Sequence, residues 1–578
     1  MFSLKKSGIA AVAVAAVAAM LGSFGLAAPA MAADTPNGAT TDKGSITISN
    51  VQGGATVTAY KVINVNYTNE GTAEAPSYVP ATPEYTWDNA VAEWVRGNYS
   101  GYIGEKNVVS NEYANLKDDL SGAPDKNGNY SSDIAKFYDG LSNAVGNGTV
   151  KLTEARQVTV EGTADANTVT LKDLTVAGYL VKITNKSGNT EGNGNKPGVV
   201  ADYSYRPVVV TVGFSQEEGE PWKIADADIE AKRSKATIDK SINEQNDDGH
   251  NSGKDQTDTG SDTVGIGSIV TYDTRSNVPV FPKDAIEKKY VIADTMDEAL
   301  TPNYTNGGGH KFIVYGVDDK GTETKIGEGA SNDYYTLTTE NAEDLDGNAV
   351  TWVLDFNYEK VRQFDKIHVQ YTATVNEKAI VGEPIYNNVK LQYTNNPYEK
   401  DSHRTVPDKV KVYTFGIKVL KQFFENGVLQ KDNLPAGAEF AVYKQGGDNE
   451  LSFVKDDKGY RPAKSGEAGV TSLPVDSKGH LSVYGLDEGT YELEETKAPA
   501  GYIKLNGRVS VTITALKDGE DFNGHVEGES ELGFVSTTVN NTKGWLPKTG
   551  SAGMVLMTVA GVLLVAAGVT VLTRKRRA

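Results

Sequence analysis

The sequence predicts an all-β protein, and three observations support that fold class. Tyr and Gly are plentiful, with 29 and 60 residues in a chain of 578. Short runs that alternate apolar with polar residues recur along the chain, as expected for strands with one buried face. Gly, Asn and Asp turns separate these runs, and long apolar helices are scarce. The chain is too long for one hydrophobic core, so we expect three or four domains.

The first predicted domain covers residues 33–230 and combines strands with a few short helices. Two helical segments, 87–95 and 134–145, interrupt its strands, and the second carries apolar residues at helical spacing. The turn-forming pair Gly53-Gly54 separates the first two strands. The predicted strands of this domain are 45–48, 56–62, 168–171, 178–183 and 207–212.

The second predicted domain covers residues 231–408. An Asp-rich segment, 243–262, lies near its start, and such a density of oxygen ligands suits calcium. Its spacing matches no defined calcium loop, so a solvated connection is the favoured interpretation and we predict no metal site. The predicted strands are 236–242, 268–274, 289–294, 311–315, 349–356, 366–375 and 388–393.

The third predicted domain covers residues 409–543. Many short strands at regular spacing, broken by Gly and Asp turns, predict immunoglobulin-like β-sandwiches in tandem. The predicted strands of this domain are 413–421, 439–443, 481–483, 490–495, 509–514 and 533–541.

The N-terminus, residues 1–32, has the pattern of a secretory signal peptide. Lys5 and Lys6 precede an apolar stretch, 9–28, and small residues follow at the spacing of a cleavage site. We place the cut after Ala32, with Ala30 and Ala33 as alternatives. The remaining alternative is that the two apolar ends are transmembrane helices flanking an outer region.

The C-terminus, residues 546–578, combines three features in a fixed order. The chain shows the motif Leu546-Pro547-Lys548-Thr549-Gly550, then an apolar run, 551–573, and finally a basic cluster, 574–577. A run of roughly 20 apolar residues is long enough to cross a bilayer as a helix. Lys and Arg resist translocation, so the basic end would stay in the cytoplasm. We therefore expect an exported chain that is held at a cell surface.

Composition excludes several functions. The net charge of −19 argues against a nucleic-acid partner and fits a solvated surface protein. The chain has no Cys, so no disulfide stabilises its domains, although it carries an export signal. With only 6 His and no Cys, few residues suit zinc binding or nucleophilic catalysis. We expect a protein that needs no cofactor and is not an enzyme.

Strand parity places charged residues on the apolar faces of the third domain. Lys421 shares its parity with three apolar residues of its strand, because alternate side chains point to one face. Glu495 and Asn541 each follow an apolar pattern of the same kind. Asn540 stays open as an alternative to Asn541, because parity alone chooses between neighbours. Three strands thus each carry one polar group towards one core.

The second domain repeats this arrangement with Lys240, Asp294 and Asn387, and Asn388 is the weaker alternative to Asn387. One interpretation is a buried ion pair, which is costly to desolvate. The other is chemistry: a neutral, desolvated Lys amine is a nucleophile, and a protonated carboxylic acid polarises the Asn carbonyl. Ammonia would leave and an isopeptide bond would remain. The residues alone do not decide between the two.

Several motifs resemble a known family. Residues 491–502, Tyr-Glu-Leu-Glu-Glu-Thr-Lys-Ala-Pro-Ala-Gly-Tyr, resemble the E-box (Y-x-L-x-E-T-x-A-P-x-G-Y) of Gram-positive pilins and Cna-B-type domains. Residues 434–440 resemble the strand that follows the reactive Lys, and 387–397 the closing strand of a middle domain. Residues 546–550 resemble the LPxTG signal that a sortase cleaves between Thr and Gly. The resemblance implies a Cna-A-like second domain and a Cna-B-type third domain.

The resemblance also implies roles for the buried residues. It makes Lys421–Asn541 (or Asn540) and Lys240–Asn387 self-formed isopeptide bonds, with Glu495 and Asp294 as the catalytic acids. No persuasive Lys–Asn pair stands out in the first domain.

Shaft pilins of this family are joined head to tail, and the resemblance implies an acceptor lysine after the first domain. That lysine usually ends a Tyr-Pro-Lys motif preceded by a Trp. Here Trp222 precedes Lys232, but Glu230-Ala231 stands where Tyr-Pro is usual. Lys235 and Lys223 remain alternatives, as does an ordinary charged linker.

These expectations together describe the major subunit of a covalently polymerised pilus, or fimbria, that serves adhesion. Its expected partners are further copies of itself, pilus-specific and housekeeping sortases, peptidoglycan, minor pilins and host surface ligands. A monomeric wall-anchored adhesin is the alternative, because it would share the signals and cross-links. A wall hydrolase is disfavoured, because no acid outside the two sites has a motif.

Overall fold

A computed structural model describes residues 43–72, 77–117, 132–185, 200–242, 260–283, 285–304, 312–327 and 333–544. The predicted signal peptide, the C-terminal segment 546–578 and most of the Asp-rich segment lie outside these residues. No helix within the described ranges is long and apolar enough to cross a membrane. Strands dominate the described chain, as the all-β prediction requires.

The N-terminal region has two sheets and a helical insertion. One sheet has the strand order β10-β1-β5, and the other has the order β3-β2-β6-β8-β9 with β4 beside β2. Its strands are β1 Gly44–Val51, β2 Thr56–Asn69, β3 Tyr78–Trp87, β4 Glu154–Thr159, β5 Asn167–Leu174, β6 Ala177–Thr184, β7 Val200–Tyr205, β8 Val208–Ser215, β9 Lys223–Ala225 and β10 Ala227–Glu230. Its helices are α1 Asn89–Asn98, α2 Asn111–Leu116 and α3 Asp133–Gly146, with 3₁₀ turns at Ser100–Tyr102 and Glu105–Asn107.

Each of the three helices begins at a polar cap. Asp88, Ser110 and Ser132 accept hydrogen bonds from backbone N–H groups of the first turns of α1, α2 and α3. The apolar faces of the helices join one aromatic core that contains Trp87, Phe137 and Tyr138. The predicted helices 87–95 and 134–145 correspond to α1 and α3. The sequence did not predict α2, which is only one and a half turns long.

The middle region is a sandwich of two larger sheets. One has the order β17-β16-β20-β13-β11-β7 with β15 beside β20, and the other has the order β12-β22-β21-β14-β19-β18. The main apolar core combines side chains from both sheets. The strands are β11 Arg233–Ile242, β12 Ser261–Thr263, β13 Ile269–Asn277, β14 Tyr290–Met296, β15 Leu300–Asn303, β16 Ile313–Val317, β17 Glu323–Ile326, β18 Tyr335–Thr338, β19 Trp352–Phe356, β20 Lys366–Val375, β21 Ile385–Tyr393 and β22 Arg404–Tyr413, with the helix α4 at Tyr358–Val361.

The C-terminal region is a smaller sandwich with its own apolar core. One sheet has the order β24-β23-β29-β27-β26 with β34 beside β23, the other has the order β28-β25-β30-β31, and β32 pairs with β33. The strands are β23 Phe415–Glu425, β24 Val428–Leu429, β25 Glu439–Lys444, β26 Phe453–Lys455, β27 Tyr460–Pro462, β28 Leu473–Pro474, β29 His480–Leu486, β30 Gly489–Lys497, β31 Arg508–Ile513, β32 Ala515–Asp518, β33 Asp521–Val526 and β34 Phe534–Thr542.

Two strands do not respect the predicted domain limits. β22 runs through the expected boundary at 408/409 and stays in the middle sheet to Tyr413. β7 precedes the expected boundary at 230/231, yet it pairs with β11 of the middle region. Strand pairing across a boundary leaves no signal in local alternation. The division into domains therefore stays a prediction.

Candidate cross-linking sites

The middle region brings its three predicted residues together between its two sheets. Lys240 lies on β11 of one sheet, whereas Asp294 on β14 and Asn387 on β21 belong to the other. β14 and β21 are adjacent and antiparallel, and Asp294 pairs with Val389, two residues from Asn387 on the same face. All three side chains are completely buried. The amine therefore faces the acid and the amide across the core.

A tyrosine hydroxyl connects the three groups. Lys240 Nζ lies 2.5 Å from Asp294 Oδ2, and it also donates to the hydroxyl of Tyr371 on β20. The same hydroxyl donates to Asp294 Oδ2 over 2.7 Å. Asn387 Nδ2 donates to the Tyr371 oxygen over 3.1 Å. Tyr371 thus contacts every member of the triplet.

Burial favours neutral groups at this site. It lowers the pKa of Lys240, an effect that the nearby Asp294 carboxyl partly offsets. It raises the pKa of Asp294 against the opposing pull of Lys240 and Tyr371. It also raises the pKa of Tyr371 well above its ordinary value, so the phenol keeps its proton. A neutral amine beside a protonated carboxyl is the state that amide chemistry requires.

A second carboxyl lies against the backbone of Lys240. Asp408 on β22 accepts a hydrogen bond from the Lys240 N–H over 2.7 Å and another from the Lys409 N–H over 2.9 Å. Burial raises the pKa of Asp408 to about 6, although both N–H groups favour the ionised form. Asp408 thus links β22 to the backbone of β11 at Lys240.

The C-terminal region assembles its triplet differently. Lys421 on β23 and Asn541 on β34 belong to adjacent parallel strands of one sheet, and Lys421 pairs with Val539. Glu495 on β30 comes from the opposite sheet. These three residues are at most 1% exposed. Here the amine and the amide share one sheet, and the acid alone crosses the core.

Backbone groups position the C-terminal triplet. Lys421 Nζ lies 2.9 Å from Glu495 Oε1, an ion-pair distance without the alignment of a hydrogen bond. Glu495 Oε2 accepts hydrogen bonds from Asn541 Nδ2 over 2.9 Å and from the Leu505 N–H over 2.6 Å. Asn541 Nδ2 also donates to the Ile503 carbonyl over 2.5 Å. Burial lowers the pKa of Lys421, and Glu495 acts in the opposite direction.

Both sites leave the amide oxygen without a donor. Asn387 Oδ1 and Asn541 Oδ1 are buried and accept no hydrogen bond, and one oxygen of each acid, Asp294 Oδ1 and Glu495 Oε1, also accepts none. Buried polar atoms of this kind are uncommon and costly. A proton on the carboxyl would give the amide oxygen the donor that it lacks.

The neighbouring amides are placed less favourably. Asn540 points to solvent and Asn541 to the core. Asn388 is half-buried and donates to the Thr295 carbonyl over 3.4 Å, whereas Asn387 is buried. These positions favour Asn541 and Asn387 as the reacting amides.

The three candidate acceptor lysines all lie on the surface. Lys232 stands in the connection between β10 and β11, with its Nζ 3.4 Å from Glu230 Oε2. Lys235 on β11 and Lys223 at the start of β9 are also exposed. Exposure therefore does not select one of them. The motif Leu546-Pro547-Lys548-Thr549-Gly550 lies outside the described residues.

Some residues of these sites have no role among the predictions from the sequence. Tyr371 lies on an apolar strand face and looks like an ordinary core aromatic, and only its hydroxyl indicates that it needs a partner. Ile503 and Leu505 act through backbone groups, which leave no side-chain signal. Within the described ranges no cluster of three His, Asp or Glu is arranged to hold a metal.

Three family models match separate parts of the chain. The Gram-positive pilin backbone subunit 2, Cna-B-like domain matches residues 266–397, where the sequence led us to expect a Cna-A-like sandwich. The SpaA prealbumin-like fold domain matches residues 429–525, and the LPXTG cell wall anchor motif matches residues 538–578. The chain is a cell-wall-anchored surface protein of tandem β-sandwiches. The chain thus shares a Cna-B-like pilin backbone domain, a prealbumin-like domain and the cell wall anchor motif with Gram-positive pilin backbone proteins.

Two similar proteins are surface or fimbrial proteins of bacteria. The trypsin-resistant surface T6 protein of Streptococcus pyogenes serotype M6 is 26% identical over 259 residues, which are 42% of this chain and 41% of that protein. Fimbrial subunit type 1 of Actinomyces viscosus is 24% identical over 356 residues, 56% of this chain and 64% of that protein. The alignments thus span less than two thirds of either relative.

A solved structure shares the fold. The T6 backbone pilin of serotype M6 Streptococcus pyogenes, described as a modular three-domain structure decorated with variable loops and extensions, has a TM-score of 0.50 and 16% identity. The likeness covers 87% of this chain and 99% of that one. At this identity it shows the fold alone.

Proposed function

We propose that this chain is the major shaft subunit of a pilus, polymerised by a sortase and stabilised by two internal isopeptide bonds. The observation that carries the proposal is the pair of buried Lys–acid–Asn triplets. Each places an amine of lowered pKa beside a carboxyl, with an amide as the third member. A buried ion pair needs no amide beside it, whereas amide transfer does.

In each site the neutral Lys amine attacks the side-chain carbonyl carbon of the Asn. The carboxyl donates to the amide oxygen while that oxygen gains charge. The Cγ–Nδ2 bond then breaks, one proton passes from the attacking to the departing nitrogen, and ammonia leaves. The products are Lys240–Asn387 and Lys421–Asn541, with Asp294 and Glu495 unchanged.

Assembly would use the C-terminal motif of one subunit and a surface lysine of the next. A sortase thiol would attack the Thr549 carbonyl and release the chain from Gly550 onwards. The amine of Lys232 would then displace the thiol and form an intersubunit amide. The connection between β10 and β11 presents Lys232 to solvent, as such a transfer requires. Transfer of the last subunit to peptidoglycan would anchor the fibre.

The internal bonds are tested by intact mass. Each bond removes one ammonia, roughly 17 Da, so the chain should weigh about 34 Da less than its sequence after allowance for signal cleavage. Asn541→Ala should restore one ammonia mass, whereas its exposed neighbour provides the control, Asn540→Ala, which should leave the loss unchanged. A wild-type mass equal to the sequence mass would contradict the proposal.

The polymer is tested on denaturing gels of surface extracts. A ladder of high mass is expected from the wild type, and a single band would indicate a monomeric adhesin instead. Lys232→Ala should abolish the ladder, with Lys235→Ala and Lys223→Ala as matched variants. A ladder that survives Lys232→Ala and disappears in one of the other two would reassign the acceptor.

A further inference from the structure

Among the described residues, the hydroxyl of Tyr371 accepts hydrogen bonds from both nitrogens of the proposed middle-region reaction. Lys240 Nζ and Asn387 Nδ2 each donate a hydrogen bond to its oxygen. Its own proton points to Asp294 Oδ2, 2.7 Å away. The attacking nitrogen, the departing nitrogen and the acid therefore meet at a single oxygen.

Aromatic packing fixes that oxygen in place. The Tyr371 ring is stacked on Phe312 with centroids 5.7 Å apart, and it meets the edge of Trp352 at 5.2 Å and the ring of Tyr272 at 5.5 Å. The residue is 1% exposed. No water is needed to carry a proton between the two nitrogens, because the phenol already spans them.

We propose that Tyr371 is a catalytic proton relay for the Lys240–Asn387 bond. This inference rests on the proposed cross-linking. When Nζ attacks Asn387 Cγ, it must lose one proton, and Nδ2 must gain one before ammonia departs. Asp294 gives its proton to the Asn387 amide oxygen and becomes a carboxylate, and the Tyr371 oxygen then accepts the proton from Nζ while its own proton moves to Asp294 Oδ2. When the Cγ–Nδ2 bond breaks, the same path runs in reverse to protonate Nδ2, and the proton on the amide oxygen returns to Asp294. The phenol and the acid end as they began, so no further reactant is required.

The C-terminal site accomplishes the same transfer without a tyrosine. Among the described residues 333–544, no tyrosine hydroxyl contacts its triplet, and Asn541 Nδ2 donates directly to Glu495 Oε2 over 2.9 Å. There the acid reaches the departing nitrogen itself. Each full-length molecule therefore carries an internal reference bond that does not depend on Tyr371.

The test compares three full-length variants by intact mass and peptide mapping at successive times after synthesis. In Tyr371→Phe the Lys240–Asn387 bond should form at least ~100-fold more slowly, while Lys421–Asn541 forms as in the wild type. Tyr290→Phe removes another buried hydroxyl from the same core and should leave both bonds unaffected. Incorporation of 3-fluorotyrosine at position 371 keeps the hydroxyl and should restore the bond, with a rate that changes with phenol acidity.

The outcomes separate this inference from the proposed function. A wild type that lacks both mass losses would contradict the cross-links themselves. Wild-type kinetics in Tyr371→Phe, beside normal losses in the wild type, would overturn only the relay. Slow formation in Tyr290→Phe, or no restoration by 3-fluorotyrosine, would also overturn it, because core packing and not the hydroxyl would then limit the reaction.

Discussion

The middle and C-terminal regions each bury an amine, a carboxyl and an amide but arrange these three groups on their sheets in different ways. In the middle region the amine on β11 faces the amide on β21 across the sandwich, so a bond would join the two sheets. In the C-terminal region β23 and β34 are neighbours, so a bond would join two strands of one sheet. The comparison shows that two different strand topologies can bring an amine, a carboxyl and an amide together in one core.

The largest expected effect comes from disabling each acid separately. Glu495→Gln keeps an acceptor for the Leu505 N–H but cannot transfer a proton to the amide oxygen. The Lys421–Asn541 bond should therefore not form, whereas the Lys240–Asn387 bond should form as in the wild type. In the chain-entropy picture a cross-link that closes a loop of ~100 residues contributes roughly 4–5 kcal/mol. The free energy of unfolding of the C-terminal region should fall by about that amount, as measured by calorimetry together with intact mass.

The middle region supplies the reciprocal variant, Asp294→Asn, which should remove only the other bond. Glu494→Gln is the matched control, because Glu494 lies beside Glu495 on the opposite strand face and pairs with Arg508. If Glu495→Gln also prevented the middle bond, the two sites would not be independent.

An effect of intermediate size is expected from the pH dependence of stability, which should differ between the two regions. The folded pKa of Asp408, about 6, is raised from 3.8 mainly by burial, so the folded chain holds this proton more tightly than the unfolded chain. Its contribution to stability is present below pH 4 and is lost as the pH rises through 6, by at most about 3 kcal/mol. Asp408→Asn should reduce this slope of the free energy of unfolding against pH. Hydrogen exchange of peptides covering β11 and β22 measures it, and an unchanged slope would contradict the assignment.

The smallest expected effect runs in the opposite pH direction in the C-terminal region. Arg461 donates two hydrogen bonds to the Glu467 carboxylate and lowers its pKa from 4.5 to about 2. This stability is present above pH 4.5 and is lost as the pH falls through 2. The pair is partly exposed, so it should contribute no more than about 1 kcal/mol. Glu467→Gln should remove the acid sensitivity of peptides covering β27, and a loss above 2 kcal/mol would mean that the pair is more than a surface contact.

The sequence predicted the all-β fold and both triplets because alternation and burial are coupled in strands. Three apolar residues at alternate positions of the same strand share a face with Lys421, so the sequence alone placed this lysine on a core face. Strands such as β4, whose residues are mostly exposed, carry no alternating pattern and were missed. Tyr371 was missed for the opposite reason: an aromatic on a core face is expected there, and its hydrogen bonds depend on residues far away in the chain.

The parallel pairing of β23 with β34 has a mechanical consequence once Lys421 and Asn541 are joined. Tension that enters at the start of β23 would pass through the side-chain amide and leave beyond β34, so residues 422–540 would bear no load. The same holds for residues 241–386 in the middle region. A fibre built from such subunits would lengthen little under a pull, because most of its polypeptide lies off the line of force.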